Sequence, residues 1–345
     1  MNLSPSLAAK CDPGCRIDER PIGGFFELEL PAAGNAVHPD AIALSTGRSC
    51  LLAILKFLRP KRCFVPSYIC DAALQPFRQL NIAMQRYPLD ASFQPLEVPP
   101  LAADDCFLLT NYFGLQRTLG EQLSQTYQTR LIIDDTHDFF SGYRYPQSWS
   151  FTSARKFCGV PDGAFLFPPG GIDHELLVPR GVPAFADVSV EHAVDRLQGR
   201  QTQAFAKFQA YEQRLPCELS RISELSRTLL STLDLPALKA RRERNFQFLA
   251  KQLAGSNTIP VAAETDLAPI AYPYFPCLPI AHRSFHKRQI FVPRFWPDTY
   301  SEASALDPRA IQWANHLLPL PIDHRYIQSD MQRIVDATQE LRATS

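Results

Sequence analysis

Between residues 41 and 134, short apolar runs alternate with amphipathic stretches, and each apolar run ends on polar residues. Residues 41–45, 62–65 and 106–110 read as strands, and residues 130–134 (RLIID) are the most apolar of the set, ending in Asp134-Asp135. Between them, apolar positions recurring at three and four residues predict helices. One starts at Thr46-Gly47-Arg48-Ser49 and runs to about Leu58; the others cover residues 71–80 and 119–127. Residues 82–87 alternate as a half-buried strand would, and residues 22–30 (IGGFFELEL) read as a Gly-Gly turn into an edge strand. This alternation predicts an α/β fold with a largely parallel sheet covered on both faces. Ligands then collect beyond the carboxyl ends of the strands, where the polar turns fall.

Residues 150–167 (SFTSARKFCGVPDGAFLF) read as a β-hairpin: a strand, a turn at Val160-Pro161-Asp162-Gly163 and a second apolar run, with Arg155-Lys156 near the bend. A lysine in an apolar hairpin either carries its ammonium out to water or loses charge by desolvation and becomes a nucleophilic amine. These residues alone leave both readings open. Beyond about Pro179 the pattern changes. Residues 188–233 are helical by spacing, Pro236 opens a further helix closed by Gly255, and residues 328–342 form a final amphipathic helix. Residues 271–275 and 289–292 read as short strands. The expected organisation is a large domain over residues 1–235, its first 20 residues a loose segment, and a smaller α+β domain over residues 236–345.

Composition narrows the partners. With 35 basic and 35 acidic residues, nothing points to nucleic acid or a membrane surface. The Arg-rich stretch from Arg196 to Arg244 reads as a solvated helix face, an interaction surface being the alternative. No apolar run approaches the roughly 20 residues of a membrane span, and MNLSPSLAAKCDPGC lacks the apolar centre of a signal peptide. Nine scattered cysteines predict reduced thiols in a cytoplasmic protein. Cys11 and Cys15 have no second pair with which to hold zinc.

Four polar clusters sit at predicted strand ends. In Ser45-Thr46-Gly47-Arg48-Ser49, glycine permits close backbone approach and a helix start supplies donors to an oxyanion; simple N-capping by Thr46 is the alternative. Asp134-Asp135-Thr136-His137 ends a buried strand, where carboxylates need a cationic partner unless they cap a helix or lie in a solvated loop. Thr110-Asn111-Tyr112-Phe113-Gly114 is a third polar end, and Ser153 with Lys156 the fourth. An anion site, a carboxylate and a desolvated lysine are together the parts that hold pyridoxal phosphate.

The order TGRS, IIDDTH, SARKFCGVPDGAFLF resembles the DegT/DnrJ/StrS-type sugar aminotransferases, a divergent branch of them, among pyridoxal-phosphate enzymes of fold type I. The resemblance extends through IGGFFELEL, FVPSYIC, TNYFGL, RRERNF, IFVPRFW and LPLPIDHRY, with RKFCGVPDG its most specific piece. It implies a seven-stranded, mostly parallel sheet and a homodimer. It also implies a transamination from an amino donor, glutamate, to a keto-sugar or similar carbonyl. Lys156 matches the lysine that binds the cofactor's aldehyde and shuttles a proton; Asp135 matches the carboxylate that keeps the ring nitrogen protonated. Thr46, Gly47, Arg48 and Ser49 fall on the phosphate loop, Ser153 supplies a further hydroxyl, Asn111 lies near the ring hydroxyl, and His137 reaches the ring face or that hydroxyl, a histidine packed behind the site being the alternative. Ile69 and Cys70 stand where the family stacks an aromatic ring, leaving Tyr68 as the substitute. Between Asp173 and Arg200 the family's cross-subunit asparagine and arginine have no match, Arg180 and Arg200 being the nearest cations. Other pyridoxal-phosphate reactions, dehydration or decarboxylation, and a non-catalytic binding or assembly role remain as alternatives.

Overall fold

The computed structural model describes residues 30, 34, 36–141, 145–261, 267–297 and 307–343. Seven strands form one sheet in the order β1-β7-β6-β5-β4-β2-β3: β1 (Ile42–Leu44), β2 (Arg62–Pro66), β3 (Ala83–Tyr87), β4 (Asp105–Thr110), β5 (Leu131–Asp134), β6 (Trp149–Ser153) and β7 (Ala164–Phe167). The pairs β2–β3, β2–β4, β4–β5 and β5–β6 are parallel; β7 alone runs against both of its neighbours. The strands β4 to β7 are buried at every position, and β4, β5 and β7 accordingly read as apolar runs, whereas β6 (WSFTS) mixes buried apolar with buried polar residues and edge strand β3 alternates exposed with less exposed residues. The expected α/β architecture is present.

Each face of the sheet packs its own layer. Cys106, Leu108, Ile132 and Phe151 pack with α1 (Gly47–Leu58) and α2 (Asp71–Gln79). Phe107, Leu109, Leu131 and Ile133 pack the other way, against α3 (Arg117–Tyr127) and the more distant Ala310 and Trp313. Strand alternation therefore assigns Ile132 to the α1 side and Ile133 to the α3 side. Thr46 starts α1 by accepting the Ser49 N–H at 3.1 Å, and Arg59 ends it in a left-handed conformation.

Past the sheet comes the short α4 (His174–Leu177), and the region expected to be one helical run, residues 188–233, is three pieces: α5 (Glu191–Leu197), α6 (Gln201–Arg214) and α7 (Glu224–Ser231). Gly199, at φ 77°, breaks α5 from α6. Residues between α6 and α7 instead lie along β1, where the Ser45 N–H donates to Ser220 O at 3.0 Å. Asp234 caps α8 (Leu235–Leu253), with Pro236 in the first turn. A separate apolar cluster joins α8, β8 (Tyr272–Tyr274), α9 (His282–His286), β9 (Leu318–Leu320) and α11 (Gln328–Ala343), while α10 (Pro308–His316) packs under the main sheet.

One expected strand is absent, and one strand that was not expected is present. Residues 289–292 form no strand: Gln289 is left-handed at φ 57°, and the alternation there buries Ile290 and Val292 as a loop. The partner of β8 is β9, whose Pro319 pairs with Pro273 and hides the strand pattern. The strand expected over residues 22–30 and the loose first 20 residues fall outside the described residues, Leu30 excepted. Cys11 and Cys15 also lie outside; the seven described cysteines are free thiols. Among the described residues no helix is long and apolar enough to cross a membrane, and no cluster of side chains is suited to hold a metal ion.

Candidate active site

Strands β1, β4, β5 and β6 share one direction, so their carboxyl ends open on the same edge. A cleft of about 610 Å³ lies there, lined from the sheet by Thr46, Gly47, Arg48, Asp134, Thr136, His137, Ser153 and Lys156. Phe295, Trp296, Asp323, Arg325 and Tyr326 form the facing wall, and Arg196, Phe208 and Glu212 come from α5 and α6.

Lys156 ends the tight turn Ala154–Lys156 directly after β6, as the hairpin pattern predicted. The Ala154 N–H donates to Gly163 O at 3.0 Å, and the Gly163 N–H donates to Ser45 O at 2.6 Å, joining the hairpin to the end of β1. Gly163 has φ 119°, and a Cβ there would stand 3.1 Å from Ile222 Cδ1, so the position calls for glycine. The Lys156 Nζ donates to Thr136 Oγ1 at 2.7 Å. Its side chain presents surface to the open cleft, yet the walls crowd the amine. Loss of hydration therefore dominates and lowers its pKa below the ordinary 10.5, with Asp134 and Cys70 opposing and Arg155 assisting. Crowding by protein, rather than the accessible stem, decides the charge of the terminal group.

The two aspartates part company. Asp134 pairs in register with Phe151 and so shares the α1 side, where both line the cleft; its Oδ1 accepts the Thr136 N–H at 3.0 Å. Asp135 turns to the α3 side, away from the lining, and its Oδ1 accepts from Asn111 Nδ2 at 2.9 Å. Asp134 lines the cleft and Asp135, where the carboxylate was expected, does not, because neighbouring residues of an extended chain face opposite ways.

His137 is buried, and its Nδ1 accepts the Phe113 N–H at 3.2 Å, which places the ring proton on Nε2. Burial, assisted by Lys156, holds its pKa well below 6.5, so the ring is neutral. Trp296 lies nearly parallel to it, with centroids 5.8 Å apart at 14°. Gly114 supports this corner: at φ 76°, its Cβ position lies 2.7 Å from His137 O. Gly114→Ala is expected to destabilise the fold by about 1–3 kcal/mol, read as a lowered urea midpoint; an unchanged midpoint would contradict the close approach.

Several expected contacts are not made. Ser49 is fully buried, bonded to Ser45 Oγ at 2.8 Å and donating to Glu218 O at 2.6 Å, so its hydroxyl does not line the cleft. Asn111 has both amide ends engaged in the scaffold, its Oδ1 taking the Gln116 N–H at 2.7 Å. Tyr68 is fully buried among Phe93, Tyr112, Trp296 and Trp313 and offers no face to the cleft. Arg180 pairs with Glu175 and Arg200 with Asp195 outside the cleft. Ser153 does line it, with its hydroxyl held only by a 3.5 Å contact to Gly163 O. Sequence reasoning missed Trp296, within IFVPRFW, and Arg196, which the same chain brings into the wall from α5.

No family model and no curated protein sequence matches the chain. Solved structures do. Spr1654 of Streptococcus pneumoniae, assigned as a sugar aminotransferase and solved in its PMP form, superposes with TM-score 0.63 at 13% identity over 89% of this chain and 88% of that one. DesV of S. venezuelae, in complex with a ketimine intermediate, gives 0.61 at 17% over 87% and 84%. A DegT DnrJ EryC1 StrS aminotransferase from Brucella abortus gives 0.58 at 13% over 87% and 85%. What is shared at these identities is the fold, that of pyridoxal-phosphate enzymes of fold type I.

Proposed function

We propose that the chain is a pyridoxal-phosphate-dependent aminotransferase that moves an amino group from an amino acid, glutamate in the first instance, to a keto-sugar or similar carbonyl acceptor. The observation that carries this reading is one cleft holding a desolvated amine at Lys156, a carboxylate at Asp134 and a helix start at Thr46-Gly47. The residues suit the group. Lys156 would carry the aldehyde, Asp134 the ring nitrogen, and His137 Nε2–H the ring hydroxyl. The Gly47 backbone and the Thr46 and Ser153 hydroxyls would take the phosphate. When bound, pyridoxal phosphate supplies an aldehyde that accepts amines and a ring that draws electrons from the substrate carbon.

The protein's own contribution is placement and proton control. Desolvation keeps a larger share of Lys156 uncharged than water would, and the uncharged amine is the nucleophilic form, while the Thr136 hydroxyl fixes the position of Nζ. The same amine is placed to act as the base that would take a proton from the substrate carbon and return it. The Asp134 carboxylate would stabilise a protonated ring nitrogen, while Phe295 and Trp296 shield the wall from water. Spr1654 is assigned as a sugar aminotransferase, the Brucella abortus protein is an aminotransferase, and DesV is seen with a ketimine intermediate, all of which support the reading. We further propose a cytoplasmic homodimer with residues 236–345 as its smaller domain.

Added pyridoxal phosphate should turn the protein yellow, and glutamate should then convert the visible band to the pyridoxamine form in a single half-reaction. A protein that stays colourless overturns the proposal. A yellow protein inert to every amino donor assigns it to another class of pyridoxal-phosphate chemistry.

A further inference from the structure

Within the Arg-rich stretch that reads as a solvated helix face, Arg242 departs from the pattern: it is 2% exposed, in the second turn of α8. Its Nη1 donates to Pro269 O at 3.2 Å and to Ile270 O at 3.4 Å, and its Nη2 reaches Phe157 O at 3.5 Å. The guanidinium carbon also lies over the Phe157 ring, 4.8 Å from its centroid. Among the described residues Arg242 makes no ion pair, and its Nε is buried without a hydrogen-bond partner. A buried cation answered by carbonyl dipoles alone is costly, and an apolar side chain of similar size would pack there at lower free energy. What the arginine fork adds is reach to three carbonyls on two separate segments.

Asn245, three residues on, shares that face of α8 and donates from Nδ2 to Ile322 O, Asp323 O and Tyr326 O, at 3.1 to 3.2 Å. Ile270, Asp323 and Tyr326 line the cleft, and Phe157 directly follows Lys156. One side of α8 thus holds the facing wall through two side chains and the lysine turn through one of them. Phe157 is gripped at both backbone groups: its N–H closes the turn onto Ala154 O at 2.9 Å, and its carbonyl meets Arg242. Resting on the aminotransferase reading, we propose that Arg242 is a positioning residue for Lys156, its fork fixing the lysine turn against the facing wall and so setting the place of Nζ. Arg242 itself does not line the cleft and acts through Phe157. An amine that must add to a carbonyl and then relay a proton is sensitive to placement, a shift of about 1 Å being worth up to about 10²-fold in rate.

The test is a pair of substitutions. Arg242→Lys keeps the charge and gives up the fork, while Arg242→Met removes both. Asp134, Cys70, Arg155 and His137, the ionisable groups that act on or answer to Lys156, are untouched by either. The first readout needs no cofactor: reductive methylation of Lys156 across pH, followed by peptide mass spectrometry. In wild type the apparent pKa lies below 10.5; a loosened turn readmits water to the amine, so both variants should move it up toward 10.5. The second readout, on protein loaded with cofactor, is the glutamate half-reaction. Its saturating rate should fall by about 10–100-fold, with the half-saturating glutamate concentration unchanged. An upward pKa shift in Arg242→Met alone assigns the effect to charge and overturns the positioning role. A lowered urea midpoint with both readouts as in wild type makes Arg242 a strut of the scaffold and overturns it too, as does failure of both variants to fold. A raised glutamate concentration at an unaltered saturating rate also contradicts it, assigning Arg242 to the wall. Where Arg242→Met alone does not fold, Arg242→Lys decides by the same readouts. A colourless wild type is instead a failure of the aminotransferase reading, and the methylation profile still decides whether Arg242 places the amine.

Discussion

Lys156→Ala is expected to yield a folded protein that takes up pyridoxal phosphate without forming a visible band reducible by borohydride. Its transamination rate should fall by roughly 10⁴-fold, the upper end of what a positioned proton-transfer group contributes. Folding should survive, because the side chain opens on the cleft and its hydrogen bond goes to a single hydroxyl, that of Thr136; a change in stability beyond about 0.5 kcal/mol would be out of line with a surface substitution. In wild type, the rate of cofactor uptake should rise with pH through an apparent pKa below the 10.5 of free lysine. A Lys156→Ala protein that still forms the reducible band would place the reactive amine elsewhere.

The second large effect separates two adjacent carboxylates. Asp134→Asn should cut turnover by about 10²–10³-fold, the usual cost of one electrostatic partner at a reacting group, and weaken cofactor retention. Asp135→Asn should leave turnover within several-fold, since its carboxylate serves Asn111 rather than the cleft. Its cost belongs to stability, about 1 kcal/mol for a buried hydrogen bond. Turnover of both variants on the same donor decides the matter; the reverse order would return the ring-nitrogen role to Asp135.

The sheet was legible because β4 and β5 are apolar runs of the right length that end on polar turns, and because β6 alternates Trp149 and Phe151 with hydroxyl residues. Lys156 was legible because it stands at the bend of an otherwise apolar hairpin. The choice between Asp134 and Asp135 was not: in Leu131-Ile132-Ile133 every position is apolar, so no alternation marks which side faces the cleft. The pairing of Asp134 with Phe151 puts that residue on the cleft side. Asn111 and Tyr68 mislead for a related reason, since a polar or aromatic residue near a strand end can turn to either side, and these turn inward. Trp296 reaches His137 from the far end of the chain, a proximity no local pattern encodes. Pro319 and Pro321 hid β9 behind a composition that ordinarily argues against a strand.

The bond from the Gly163 N–H to Ser45 O, with Gly163 O in turn accepting the Ala154 N–H, bears on how the chain tolerates changes in length. It ties the peptide after the lysine turn to the residue before the α1 cap. The span from Lys156 to Gly163 is thereby measured between two fixed posts, and an inserted residue there would strain the posts or part them. The stretch from Pro168 to Asp173, past the end of β7, carries no such double attachment and is the natural place for the chain to grow or shrink without disturbing the cleft.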